Sequence, residues 1–119
     1  MQNMEGQQQE RRLFPRTKLR SSLRYQIRGT PAFSNAICDD ISLVGIGFVN
    51  DEFLTPDTLV SLEISVLSKV LRAIGQISWS QPLPHSNRFR VGIKFLELYP
   101  SEKSYLVDFI KMQHSEPSD

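Results

Sequence analysis

The chain has 119 residues, of which 39% are hydrophobic and 23% charged, with a formal net charge of +1 and one cysteine. This length predicts one domain that can bury a hydrophobic core without a disulfide or a structural metal. The lone Cys38 excludes an internal disulfide, and no Cys/His cluster has zinc spacing. No apolar run approaches the roughly 18–20 residues of a membrane span, and the polar N-terminus lacks the apolar region of a secretory signal. The expected location is therefore cytoplasmic.

Positive charge is concentrated near the N-terminus. No acidic residue lies between Glu10 and Asp39, and that interval holds half of the 14 lysines and arginines. A locally basic segment in a nearly neutral chain indicates a local anionic ligand such as a nucleotide phosphate. Duplex nucleic acid would normally need a more basic domain. The basic residues of the interval are Arg11, Arg12, Arg16, Lys18, Arg20, Arg24 and Arg28.

The first residues are predicted to lack regular structure. Residues 1–10 are glutamine-rich and contain no core residues, which is typical of a disordered leader. Pro15 disfavours a helix interior and favours extended geometry at Phe14. We therefore predict that residues 11–20 form a loop that can curl around a ligand.

Alternation of apolar and polar residues predicts six short antiparallel strands. The alternation is poor in the second strand, which indicates a bulge. Turn signals recur about every eight to twelve residues, a pattern that favours a small closed or nearly closed barrel. The predicted strands cover residues 23–27, about 33–41, 46–48, 60–66, 71–79 and 89–95.

A helix is predicted after the last strand. Ser101 is a candidate N-cap, and an apolar stripe at helical spacing follows it over residues 105–110. Helix 101–113 would pack on the barrel, and residues 114–119 would form a polar tail. The predicted fold is thus all-β, a six-stranded antiparallel barrel with one C-terminal α-helix, and the domain spans residues 11–113.

Two segments carry residues suited to a guanine nucleotide. The guanidinium fork of arginine fits phosphate oxygens and the O6/N7 edge of guanine. Asp40 is an acceptor that suits the N1–H and N2–H₂ donors of guanine, and Ser42 adds a short donor or acceptor. Gly45 can take a positive φ or admit a close neighbour, including a flat ring. Arginines together with a carboxylate therefore favour a guanine nucleotide over bare phosphate.

These two segments resemble the motifs of the PilZ domain family. The resemblance rests on Arg12 and Arg16 four residues apart, preceded by Arg11, and on the spacing of Asp40, Ser42 and Gly45. It continues through residues 75–79 and 91–95, which are similar to the later strands of that family, and covers roughly residues 10–100.

The resemblance implies a bacterial receptor for the second messenger cyclic di-GMP. Arg12 and Arg16 would lie on an N-terminal switch loop that wraps the ligand, and Asp40, Ser42 and Gly45 would contact a guanine base. Arg11 corresponds to an arginine that the family associates with a stacked pair of ligand molecules. Ordering of the loop would signal to a protein partner. The resemblance implies no metal or other cofactor, and a stand-alone adaptor that is a monomer or a weak homodimer.

Three other functions are alternatives to this one. The same barrel would serve as a ligand-independent interaction adaptor if it had lost binding. An enzyme is disfavoured because no His or Cys stands beside a base, and because Asp39 and Asp40, adjacent on a strand, should point to opposite faces. A single-stranded nucleic-acid barrel is disfavoured because the aromatic residues fall mostly on predicted buried faces.

Several residues outside the motifs are expected to have structural rather than functional roles. Trp79 falls on the face assigned to the core, with stacking on a ligand as the alternative. Cys38 is expected to be a small core or half-buried residue. Gly92 is expected to permit close strand packing, with a position under the ligand as the alternative. His85 and His114 are expected to face solvent rather than bind a metal.

Overall fold

The structure is a computed structural model that describes residues 15–114. Six antiparallel strands form a closed barrel in the order β1-β2-β3-β6-β5-β4. This architecture, with one helix after the last strand, confirms the predicted fold class. The elements are β1 (Thr17–Ile27), β2 (Ser34–Ile41), β3 (Gly45–Asn50), β4 (Leu59–Val66), β5 (Lys69–Pro82), β6 (Phe89–Leu98) and α1 (Pro100–His114).

The core lies inside the barrel and under the helix. Alternate residues of β4 are buried, from Val60 to Val66, while the residues between them are partly exposed. This is the period-two pattern of a strand with one face on a core. Leu106, Phe109 and Ile110 of α1 join the same hydrophobic cluster. The predicted apolar stripe of the helix therefore packs on the barrel.

Helix α1 is hydrogen-bonded to the barrel near both of its ends. Near its start, the buried carboxylate of Glu102 accepts a hydrogen bond from the backbone N–H of Arg72 on β5, at 2.7 Å. At its end, His114 Nε2 lies 2.8 Å from Thr17 Oγ1 on β1. The prediction that His114 faces only solvent is incomplete, because this exposed residue also has a protein partner.

Several predicted boundaries were wrong. Strand β1 begins at Thr17, so residues 17–20 are strand rather than loop, because Thr17 and Lys18 pair with β2. The carbonyl of Tyr99 accepts the N–H of Lys103, which places Ser101 inside the first helical turn and not at the cap. Strand β5 continues to Pro82, past the predicted end of that strand.

The leader 1–10, the loop residues Arg11 and Arg12 and the tail 115–119 lie outside the described residues. Among residues 15–114, no helix is long and apolar enough to cross a membrane. The same residues hold no group of three or more His, Cys, Asp or Glu that could bind a metal ion.

Candidate functional site

Arg90 on β6 contacts two carboxylates on β2. Its Nη1 lies 3.2 Å from Asp39 Oδ2, and its Nη2 lies 3.1 Å from Asp40 Oδ2. The pairing of β2 with β3 shifts between Cys38 and Asp40. Such an irregularity breaks strict alternation of side chains. The prediction that Asp39 and Asp40 point to opposite faces was therefore wrong, because both reach one guanidinium.

Arg16 occupies the other oxygen of Asp40. Its Nη1 donates to Asp40 Oδ1 at 2.5 Å, and the side chain of Arg16 is 50% exposed whereas that of Asp40 is 17% exposed. The four charges alternate in the order Arg16, Asp40, Arg90, Asp39. The structure thus brings Arg16 and Asp40 together, as the two predicted motifs require.

Ser42 and Gly45 form the turn between β2 and β3. The buried Ser42 accepts a hydrogen bond from the N–H of Val44 at 3.1 Å, and its own N–H donates to the carbonyl of Gly45 at 2.9 Å. A Cβ on Gly45 would collide with the carbonyl oxygen of Ile93. Gly45 does not have positive φ. Close packing against β6 therefore accounts for this glycine, and Ser42 serves the turn.

Trp79 lies outside the core, contrary to the prediction. The pairing of β5 with β6 shifts between Ile77 and Trp79, so Ile77 is opposite Ile93 and Trp79 is opposite Gly92. Directly opposite residues share a face of the sheet. Because Ile93 and Ile77 are core residues, Trp79 and Gly92 face outward.

Two glycines separate Trp79 from Asp40 on the outer face. Gly92 pairs with Trp79 on one side and with Gly47 on the other, and Gly47 pairs with Asp40. We call Gly47 and Gly92 the glycine floor. A Cβ on Gly47 would lie 3.0 Å from Asp40 Oδ1, so the carboxylate lies against the strand itself. The site is thus a row in which the indole of Trp79 covers Gly92 and the carboxylate of Asp40 lies against Gly47.

Cys38 is a core residue, as predicted. It is fully buried, and its thiol donates to the carbonyl of Asp40 at 3.3 Å. Burial, reinforced by the charges of Asp40 and Asp39, raises the pKa of the Cys38 thiol from 9.0 to about 12. The thiol is therefore neutral at physiological pH and unsuited to nucleophilic attack.

Sequence reasoning missed Arg90 and the orientation of Trp79. Arg90 was one of several polar residues on the alternating outer face of the last strand. Poor alternation predicted the irregularity in β2, which the register shift between Cys38 and Asp40 confirms. No such signal marks the register shift after Ile77 in β5, so the outward position of Trp79 was not available from the sequence.

The fold and the site define a small β-barrel with an arginine–carboxylate cluster on its outer face. The family model described as the PilZ domain matches residues 10–112. The chain belongs to the PilZ domain family.

Solved structures with the same fold come from several bacteria. The Bacillus subtilis inhibitor of motility (MotI/DgrA) superposes with a TM-score of 0.74 at 15% identity, over 87% of this chain and 52% of that one. The PilZ domain of YcgR from Escherichia coli, solved with c-di-GMP, has a TM-score of 0.68 at 16% identity, over 88% and 92%. The K. pneumonia MrkH–c-di-GMP complex has a TM-score of 0.59 at 15% identity, over 87% and 53%. The chain thus spans about half the length of two of these relatives. A comparison with curated protein sequences gives no significant match.

Proposed function

We propose that this protein is a receptor for cyclic di-GMP that signals to a protein partner. The observation that carries the proposal is the contact of Arg16 with Asp40 beside the glycine floor. It joins the two motifs that bear the donors and the acceptor a guanine nucleotide needs. Membership of the family and the c-di-GMP complexes of YcgR and MrkH support it.

Each part of the site has a role that follows from its chemistry. Asp40 accepts the N1–H and N2–H₂ donors of a guanine. Arg16, with Arg12 and Arg11 of the same segment, donates to phosphate oxygens and to the O6/N7 edge. Ser42 and Gly45 hold the turn that fixes Asp40 on the barrel.

Trp79 supplies an apolar flat surface at the far end of the row. Its ring lies against Gly92 and is partly exposed, which suits stacking with a base. This role replaces the core position predicted from the sequence.

The guanine edge displaces Arg16 from Asp40, since the guanidinium stands against Oδ1, on the side of the carboxylate that Arg90 does not occupy. Arg16 immediately precedes β1, so its movement repositions the segment before the barrel. Ordering of that segment around the ligand creates a new surface for a protein partner. We place the protein in the cytoplasm, as a monomer or a weak homodimer.

Calorimetric titration with cyclic di-GMP tests the proposal. We expect the wild type to bind and both Arg16→Ala and Asp40→Asn to weaken binding by about tenfold or more, since each removes a charge-assisted hydrogen bond. Arg28→Ala is the matched control, because Arg28 belongs to the same basic interval but lies beyond the far end of β1. It should bind like the wild type.

The stoichiometry of the titration decides between one ligand molecule and a stacked pair. If a stacked pair binds, Arg11→Ala should weaken the binding of cyclic di-GMP. Absence of binding by the wild type, or unchanged binding by Arg16→Ala, would contradict the proposal. A wild type that does not bind would favour the ligand-independent adaptor on the same barrel.

A further inference from the structure

Arg90 belongs to neither sequence motif, yet it is the only described residue that contacts both Asp39 and Asp40. We propose that Arg90 is a positioning residue. It holds the Asp40 carboxylate in place while Oδ1 of Asp40 exchanges its hydrogen-bond donor, from Arg16 to a guanine. This inference rests on the proposed function and adds to it a determinant of base selectivity.

The first support is the geometry of the guanidinium. Arg90 uses two different nitrogens on two different carboxylates, Nη1 on Asp39 and Nη2 on Asp40. A planar guanidinium held at two points has little rotational freedom. Asp39 therefore fixes the orientation of Arg90, and Arg90 fixes the orientation of Asp40.

The second support is the division of the Asp40 oxygens. Arg16 takes Oδ1 and Arg90 takes Oδ2, so neither arginine competes with the other. When Arg16 leaves, Asp40 keeps a cationic partner, and Oδ1 is the oxygen that becomes free. A ligand that presents paired N–H donors can then replace the guanidinium of Arg16 without any rearrangement of the carboxylate.

The third support is the surface beneath Asp40. Gly47, opposite Asp40 on β3, has no side chain that could confine the carboxylate from that side. The hydrogen bonds of Arg90 are consequently what fixes the rotation of this carboxylate once Arg16 has moved away. Preorganisation of this kind raises affinity because the acceptor need not be ordered during binding.

A double-mutant cycle tests whether Arg90 acts through Asp40. Binding of cyclic di-GMP is measured for Arg90→Gln, Asp40→Asn and the double variant, with thermal melting to establish that each is folded. We expect Arg90→Gln to weaken binding by about tenfold. The double variant should bind within about twofold of Asp40→Asn alone, since the coupling between the two residues is then already lost. Arg88→Gln is the control, because the exposed side chain of this neighbouring arginine pairs with Asp51, whereas Asp39 and Asp40 pair with Arg90 and Arg16.

The ratio of the affinities for two ligands that differ only in the base separates a specific effect from general destabilisation, because destabilisation lowers both affinities equally. Cyclic di-IMP lacks the N2 amino group of guanine, so it cannot make the full set of donations to Asp40. We expect the wild type to prefer cyclic di-GMP and Arg90→Gln to lose most of that preference. If Arg90→Gln weakens binding by the same factor in the Asp40→Asn background as in the wild type, Arg90 contacts the ligand directly and the inference is overturned. Wild-type affinity and selectivity in Arg90→Gln would overturn it as well.

A ligand-free measurement separates this inference from the proposed function. If the wild type does not bind cyclic di-GMP, the proposed function fails, and crystal structures of Arg16→Ala and of the double variant Arg16→Ala/Arg90→Gln still decide the role of Arg90, because Arg16 no longer holds Oδ1 in either protein. We expect the Asp40 carboxylate to keep its position against Gly47 in Arg16→Ala and to leave it in the double variant. A carboxylate that stays in place without Arg90 would contradict the inference.

Discussion

Gly92 lies directly beneath the indole ring of Trp79. A Cβ built on Gly92 would come within 2.6 Å of Trp79 Nε1 and Cζ2, a separation that real atoms do not tolerate. The ring therefore rests on the backbone of β6, at one end of the glycine floor. Because the chain contains one tryptophan, its fluorescence reports on this part of the site alone.

Replacing Gly92 by alanine should displace the indole. We expect Gly92→Ala to shift the emission of Trp79 to longer wavelength and to increase its quenching by acrylamide, since the ring must lift away from the strand. The control is Gly29→Ala. Gly29 has a φ of 92° and no atom within 4 Å of a built Cβ, so this variant should lose about 1 kcal/mol of stability through backbone strain. Its emission should be unchanged, and unchanged emission in Gly92→Ala would contradict the described packing.

Alternation was a reliable guide wherever strand pairing was regular. The buried face of β4 follows directly from it, and the apolar stripe of the helix follows in the same way from helical spacing. Trp79 was misplaced because one register shift, after Ile77, reverses the face of every residue beyond it. Alternation therefore predicted the inward face of β5 correctly as far as Ile77 and not beyond it.

Loss of the Glu102 carboxylate should destabilise the protein. Glu102 is only 6% exposed and accepts the backbone N–H of Arg72. Glu102→Ala leaves that donor without its partner and should lower the free energy of unfolding by about 2–3 kcal/mol in urea titrations. Glu102→Gln keeps an acceptor oxygen and should lose less. Glu97→Ala, at an exposed position on β6, should change stability by no more than about 0.5 kcal/mol.

The buried thiol of Cys38 should make stability fall at alkaline pH. Its pKa is raised by burial to about 12 in the folded protein, from an ordinary value of 9.0. Above pH 9 the unfolded chain releases the proton while the folded protein retains it, so unfolding is favoured as pH rises towards 12. Between pH 8 and pH 10, this linkage should remove about 1.4 kcal/mol from the free energy of unfolding.

The Cys38→Ala variant isolates that contribution. Lysine and tyrosine side chains also titrate at alkaline pH, but they are common to both proteins. The wild type should therefore lose about 1.4 kcal/mol more than Cys38→Ala over the same pH interval. Equal losses would mean that the thiol is ionised or exposed in the folded state.

The hydrogen bond between Thr17 and His114 should protect the end of the helix. Thr17→Val removes the hydroxyl while preserving shape, so the last turn of α1 should open more often. Hydrogen exchange of the amides of residues 110–114 should then be several times faster than in the wild type. Thr55→Val, in the exposed loop before β4, is the matched control and should leave that exchange unchanged.

The site was predictable to the extent that it is made of motif residues. Arg16 and Asp40 are adjacent in space, as the two segments suggested. Arg90 was not predictable, because its side chain reaches Asp39 and Asp40 across β3, the strand that lies between β6 and β2. Long side chains that meet across several strands leave no signature in local periodicity.

Closure of the barrel restricts how another protein can recognise this domain. Every strand between residues 15 and 114 has a hydrogen-bonded neighbour on both sides along part of its length. Strand pairing is one-sided only over short stretches, such as residues 17–22 of β1 and 78–82 of β5, so a partner peptide has little open sheet to extend. Most of the surface that a partner can read therefore consists of side chains, on the outer surface of the barrel and on the exposed face of the helix. Specificity for that partner consequently depends on surface residues that can change without disturbing the fold.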